Sequence, residues 1–139
     1  MTSDQDIFRG GYVLHHEACC LDLVLMAAGQ DVCLALRAAK TLEADGIAVR
    51  VVTMPSTRTF DLQTPEYRAQ VLPPGILRMA VDTWVSEFWR KYVGPEGFVV
   101  GVQRAMQHTH ASFLWERFET TPDLVVAAAR EQFSEALAA

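Results

Sequence analysis

Apolar residues along this chain fall into two kinds of pattern. Short continuous runs alternate with stretches where they recur every three or four positions. Leu21–Ala28 (LDLVLMAA) is a near-continuous run of strand length that closes at Gly29. Such a run suits a strand buried on both faces, as in a parallel sheet covered by helices. Asp31–Asp45 then places Val32, Leu36, Ala39 and Leu42 at helical spacing, and Gly46 ends the helix. Ile47–Thr53 (IAVRVVT) is a second buried-strand run, closed by Met54-Pro55. Strand, helix and strand in this order form a βαβ unit, for which a right-handed crossover is expected.

Ahead of that unit, Gly11–His15 reads as a short strand and residues 1–10 as a flexible lead-in. Beyond it, Ser56–Pro65 reads as a loop with a short helical turn, and Glu66–Leu72 as a short helix stopped by Pro73-Pro74-Gly75. Leu77–Thr83 and Phe98–Val102 are further strands. Between them Val85–Val93 (VSEFWRKYV) reads as an aromatic helix ended by Gly94-Pro95. Ala111–Phe118 and Pro122–Ala138 read as closing helices, with Pro122 suited to a first turn. No internal repeat interrupts the series, so residues 11–139 are expected to be one domain.

Composition narrows the function more than it names it. The 139 residues are half apolar and 21% charged, which fits a globular domain and not a disordered one. The net charge is −5, and the ten Arg and two Lys are scattered, so nucleic acid is not an expected partner. Met1–Arg9 lacks the pattern of a secretory signal, and no apolar stretch approaches a membrane span. A cytoplasmic location with reduced thiols is expected. Of the three cysteines, Cys19 and Cys20 are adjacent and cannot easily bridge each other; Cys33, on the Asp31–Asp45 helix, is expected to be buried.

Candidate chemistry is sparse. The turn Ala27–Asp31 stands where α/β proteins often hold a phosphate, yet it has one glycine where the dinucleotide fingerprint needs three, and Asp31 would repel an anion. His108 and His110 are two apart, with His15 and His16 far upstream, a spacing that does not match a helical zinc site. Asp82, at a strand end, reads first as a cap for the following helix and second as a ligand group. Phe88, Trp89 and Tyr92 have helical spacing and read first as core; together with Trp84 they are also the candidate interface. No nucleophile, base and oxyanion site assemble, and no catalytic, cofactor-binding or metal residue is assigned.

Four segments carry a specific resemblance. They are Leu23–Ala35 (LVLMAAGQDVCLA), Val49–Gln63 (VRVVTMPSTRTFDLQ), Tyr67–Pro73 (YRAQVLP) and Trp89–Gly94 (WRKYVG). In order and spacing, from about Gly11 onward, the chain resembles the C-terminal domain of transketolase. The resemblance implies a three-layer α/β/α fold with a five-stranded, mostly parallel sheet whose first strand is antiparallel. It also implies a parent enzyme that moves a two-carbon ketol unit between sugar phosphates. In that family thiamine diphosphate and a divalent metal (Mg or Ca) bind between the first two domains, across a homodimer. This chain would then bind no cofactor, act as a structural and assembly domain, and have the other transketolase domains or subunit as partners.

The chain departs from the family at Trp84, where glycine is usual, and at Met106–Ala111 (MQHTHA), where Phe-Gly-x-Ser-Ala-Pro is usual. Two alternatives accompany this reading. One is a stand-alone module binding a small anion or nucleotide in a crevice beside Gly29, Ser56, Asp82 and Arg104. The other is the C-terminal domain of a related thiamine enzyme, such as a 2-oxo-acid dehydrogenase or a deoxyxylulose-phosphate synthase. The exposed apolar surface of an isolated domain is expected to promote self-association, with Trp84 and Val85–Tyr92 as the candidate surface.

Overall fold

The computed structural model describes residues 4–83, 86–101 and 121–138, with backbone only at 136–138. Five strands form one sheet: β1 (Tyr12–His15), β2 (Leu23–Ala27), β3 (Val49–Thr53), β4 (Leu77–Val81) and β5 (Phe98–Val100), in the order β1-β3-β2-β4-β5. β1 runs antiparallel to β3, and every other pairing is parallel. This is the mixed sheet that the resemblance implies.

The apolar runs are explained by position. β2 lies at the centre of the sheet and all five of its residues are fully buried. Side chains alternate between faces. Leu23, Leu25, Ala27, Val49, Val51, Met79 and Val81 meet one layer of helices; Val24, Met26, Val52, Ala80 and Val99 meet the other. Both faces are covered, so the strands are mainly apolar on each.

The first layer consists of α2 (Asp31–Ala44) and α6 (Pro122–Ala138). α2 lays Ala35, Ala38, Ala39 and Leu42 on the sheet, and the small alanines allow close approach. Gly46, at φ +89°, ends it, while Gly46 N–H donates to the Glu43 carbonyl. Val125, Val126 and Ala129 of α6 complete this core, and Arg130 pairs with Asp45 at the rim. Cys33, expected to be buried, is exposed. It lies two residues before Ala35, about 200° around the helix, on the side away from the buried stripe.

Short helices form the second layer: α3 (Thr57–Asp61), α4 (Pro65–Val71), a 3₁₀ turn at Glu87–Trp89 and α5 (Arg90–Val93). The expected continuous helix over Val85–Val93 is therefore divided. Its described part begins as the 3₁₀ turn after Ser86, whose N–H is held by Asp82, and becomes α-helical at Arg90. Ser56 and Thr64 cap α3 and α4 through their hydroxyls, and Pro65 fills the first turn of α4. Near the N-terminus, α1 (Asp4–Ile7) leads to Gly10, at φ +83°. The Gly10 carbonyl accepts from Ser56 N–H at 2.9 Å, and a Cβ at Gly10 would collide with the Ser56 carbonyl. Ala111–Phe118 lies outside the described residues.

Candidate functional site

The carboxyl edge of the sheet brings Gly29, Ser56 and Asp82 to the ends of β2, β3 and β4. Arg104, their expected companion, lies outside the described residues, as do Trp84, His108, His110 and Met106–Ala111. The polar groups at this edge already serve the fold. Ser56 Oγ donates to Thr59 Oγ1 at 2.9 Å and accepts from Thr59 N–H at 3.3 Å. Buried Asp82 accepts from Ser86 N–H at 2.7 Å, the capping role its sequence position favours. Asp31 reaches across the edge and accepts from Thr83 N–H and Oγ1, at 3.2 and 2.8 Å, tying the start of α2 to the end of β4.

A denser polar arrangement stands on the second face, built on two arginines to which the sequence assigns no role. Arg50 and Arg78 both lie opposite Val24 in the sheet register, one on each side of it. Their guanidinium groups converge on the C-terminal end of α4. Arg50 Nη1 donates to the carbonyls of Gln70 and Val71 at 2.8 and 3.3 Å; Arg78 Nη2 donates to those of Leu72 and Pro73 at 2.8 and 3.2 Å. Arg78 Nη1 also donates to the Tyr92 carbonyl at 2.9 Å, at the end of α5. Final carbonyls of a helix have no partner within it, and the negative end of its dipole favours cations. The two arginines supply both needs. Arg50 is also paired with Glu17, with Nε 2.8 Å from Oε2, and the Arg50 hydrogen bonds hold the Glu17 carboxyl below its usual value. Burial lowers the pKa of Arg78, which nevertheless stays charged.

Tyrosine hydroxyls fix the same layer. Tyr67 donates to the Gly11 carbonyl at 2.8 Å, binding α4 to the start of β1. Tyr92 donates to Asp61 at 2.9 Å, and Lys91 reaches Asp61 at 2.7 Å, binding α5 to α3. Burial raises the Asp61 pKa, but the hydrogen bonds from Lys91 and Tyr92 outweigh it and the net shift is downward. Burial raises both tyrosines, and Asp61 raises Tyr92 further. Of the candidate interface residues, Trp89 and Tyr92 are buried in this core and Phe88 is 49% exposed. An open groove of about 420 Å³ lies at the opposite, amino edge, lined by Gly75–Arg78 and Val93–Gly97. The Pro73-Pro74-Gly75 and Gly94-Pro95 turns flank it and were the available sequence signal.

Among the described residues every buried side-chain nitrogen or oxygen has a hydrogen-bond partner, and no three His, Cys, Asp or Glu side chains converge as a metal requires. The donor set of the described residues does not fit the divalent ion and diphosphate that the resemblance implies for a parent enzyme. No described helix is long and apolar enough to cross a membrane.

Architecture and polar network together define a three-layer α/β/α domain whose distinctive residues are spent on holding its own layers. Residues 10–121 match the family described as the transketolase-like TK C-terminal domain. The chain belongs to that family. It is 47% identical over 137 residues to transketolase 2 of Pasteurella multocida, a match covering 94% of this chain and 20% of that protein. Transketolase from Leishmania mexicana superposes with a TM-score of 0.77 at 33% identity, over 96% of this chain and 19% of that one. A structure titled as a split gene transketolase, inactive beta4 tetramer, gives 0.58 at 26% identity, over 89% of this chain and 42% of that one. The chain thus spans about one fifth of the length of the curated relatives it matches.

Proposed function

We propose that this chain is the non-catalytic assembly domain of a transketolase. The observation that carries the reading is where the family-like segments go. Phe60, Asp61, Tyr67, Val71, Leu72, Trp89, Tyr92 and Val93 build or brace the second layer, and no free reactive group emerges among them. Ketol transfer between sugar phosphates, thiamine diphosphate and its metal then belong to the remainder of the parent enzyme, a homodimer in the cytoplasm. The domain contributes by fixing the geometry of that assembly.

Two segments that meet at the Gly10–Ser56 contact present apolar side chains suited to docking. Phe8 is 82% exposed and Leu62 80%, and Ile7 is also exposed. An apolar exposure of this size next to the domain's N-terminal end supports contact with the preceding domain or a partner subunit. The split gene relative supports a second form of the same reading, in which the domain is part of a separately encoded subunit. A stand-alone anion or nucleotide module is less well supported. It would require the Ser56 hydroxyl and the Asp82 carboxylate to leave their caps.

The test is a pair of titrations. The chain alone, titrated with thiamine diphosphate and magnesium, is expected to give no saturable heat. Mixed with a separately produced transketolase portion lacking this domain, it is expected to raise ketol-transfer activity or to stabilise the dimer. Micromolar cofactor binding by the chain alone would overturn the assignment.

A further inference from the structure

The link between β1 and β2 is fixed at both ends and open in the middle. Glu17 is held by Arg50, with Arg50 Nε 2.8 Å from Oε2. Asp22 is held against Ala48, whose N–H donates to Oδ2 at 2.8 Å while its carbonyl accepts from Asp22 N–H at 2.9 Å. Between these anchors Cys19 and Cys20 are consecutive, reduced and exposed. The proposed assembly role makes no use of them.

We propose that Cys19 and Cys20 form a vicinal dithiol site that captures a soft, thiophilic acceptor, the class that includes trivalent arsenic, cadmium and zinc. The geometry of adjacent residues favours such an acceptor over a direct disulfide. Consecutive Cα atoms are about 3.8 Å apart across a trans peptide. Disulfides normally need about 4.4–6.8 Å between Cα atoms, so joining these two sulfurs directly is strained. An inserted atom with bonds of about 2.3 Å to each sulfur, at the tetrahedral angle, separates them by about 3.8 Å and relieves the strain. Thiolates prefer soft acceptors, and the second bond forms within one molecule. Exposure allows entry without unfolding. Among the described residues no third donor already converges, so the protein supplies two ligands and the acceptor keeps its other positions. Cys33 is exposed as well, but stands alone on α2 and offers a single bond.

Phenylarsine oxide tests the site. Two thiols and the arsenic–oxygen group give two sulfur–arsenic bonds and one water, with both thiol protons leaving on the oxygen and no change in oxidation state. Intact-mass measurement is expected to show one adduct per chain, formed at comparable rates in native buffer and in denaturant. Cys33→Ser should leave it unchanged. Cys19→Ser and Cys20→Ser should each weaken retention roughly a hundredfold against a competing dithiol. An adduct retained equally in Cys19→Ser or Cys20→Ser, lost in Cys33→Ser, or formed a hundredfold more slowly in the native state would overturn the proposal.

Discussion

The two faces of the sheet solve the same burial problem by different means. On the first, α2 and α6 bring long helices whose backbones are largely satisfied within themselves, and contact is made by Ala, Val, Leu and Met. Polar ties such as Arg130–Asp45 stand at the rim. On the second face the helices have four to seven residues, so most of their terminal carbonyls need outside donors. Arg50, Arg78, Tyr67 and Tyr92 provide donors or bracing there, around a core of Phe60, Trp89 and Tyr92 rings. One face requires volume; the other requires particular residues at particular places. That difference explains why three of the four recognisable segments contribute largely to the second face.

The largest expected effect tests this contrast directly. Trp89 is fully enclosed, and Trp89→Ala should cost about 3–5 kcal/mol in urea unfolding. On the first face, Met79→Leu conserves volume and should cost less than about 1.5 kcal/mol. If Met79→Leu were as damaging as Trp89→Ala, the aliphatic face would be as residue-specific as the aromatic one and the contrast would fail.

Arg78 comes next. Arg78→Met keeps the aliphatic stem but leaves the Leu72, Pro73 and Tyr92 carbonyls without their charged donor. A loss of about 2–3 kcal/mol is expected, and Arg78→Lys should recover only part of it, because an ammonium lacks the planar fork. Full recovery by lysine would mean that charge alone holds the two helix ends.

How well the sequence discloses each face follows from the same contrast. Burial on both sides makes β2 a continuous apolar run and leaves Arg50 as the one interruption in Ile47–Val52, so the sheet and α2 are readable from periodicity. Strand ends are less so: β4 stops at Val81, short of the expected Thr83, because Asp82 turns to hold Ser86 N–H and Thr83 donates to Asp31; the expected end of the last strand at Val102 lies outside the described residues. Cys33 is misplaced by its apolar neighbours Leu34 and Leu36, which are themselves only partly buried, while the true stripe runs through Ala35, Ala38, Ala39 and Leu42. The arginine clamp leaves almost no local signal. Arg50 and Arg78 are 28 positions apart and become neighbours of one helix end only through the register of β3, β2 and β4. Ser56 and Asp82 do reach the sheet edge that strand ends imply, but a strand-end position does not distinguish a cap from a ligand group.

Acid provides a more selective probe of the second face. The Glu17 carboxyl is lowered in the folded chain by its hydrogen bonds to Arg50, below an ordinary value of 4.5. A carboxylate lowered on folding adds stability above its unfolded pKa and loses it as pH falls through the folded one. Glu17→Gln should therefore cost about 1.5 kcal/mol at pH 7. The gap between the two proteins should narrow below about pH 4.5 and close once Glu17 is protonated in the folded state as well. A gap constant from pH 7 to pH 3 would show that the pair contributes through shape and not through charge.

The smallest effect on stability should accompany the most informative effect on assembly. Phe8 and Leu62 are exposed beside the second face and contribute little to the core, so Phe8→Ser and Leu62→Ser should each change unfolding free energy by no more than about 0.5 kcal/mol. If these side chains form the docking surface, the unmodified chain should gain mass with concentration in sedimentation and bind an apolar dye. The double variant should do neither, and should lose its effect on a transketolase portion lacking this domain. Phe88→Ser is the matched comparison, since Phe88 is half-exposed on the segment first expected to form the interface. Should Phe88→Ser abolish association while the double variant leaves it intact, docking passes through the 3₁₀ turn beside Trp89, and the aromatic face would both hold the domain together and present it to its partner.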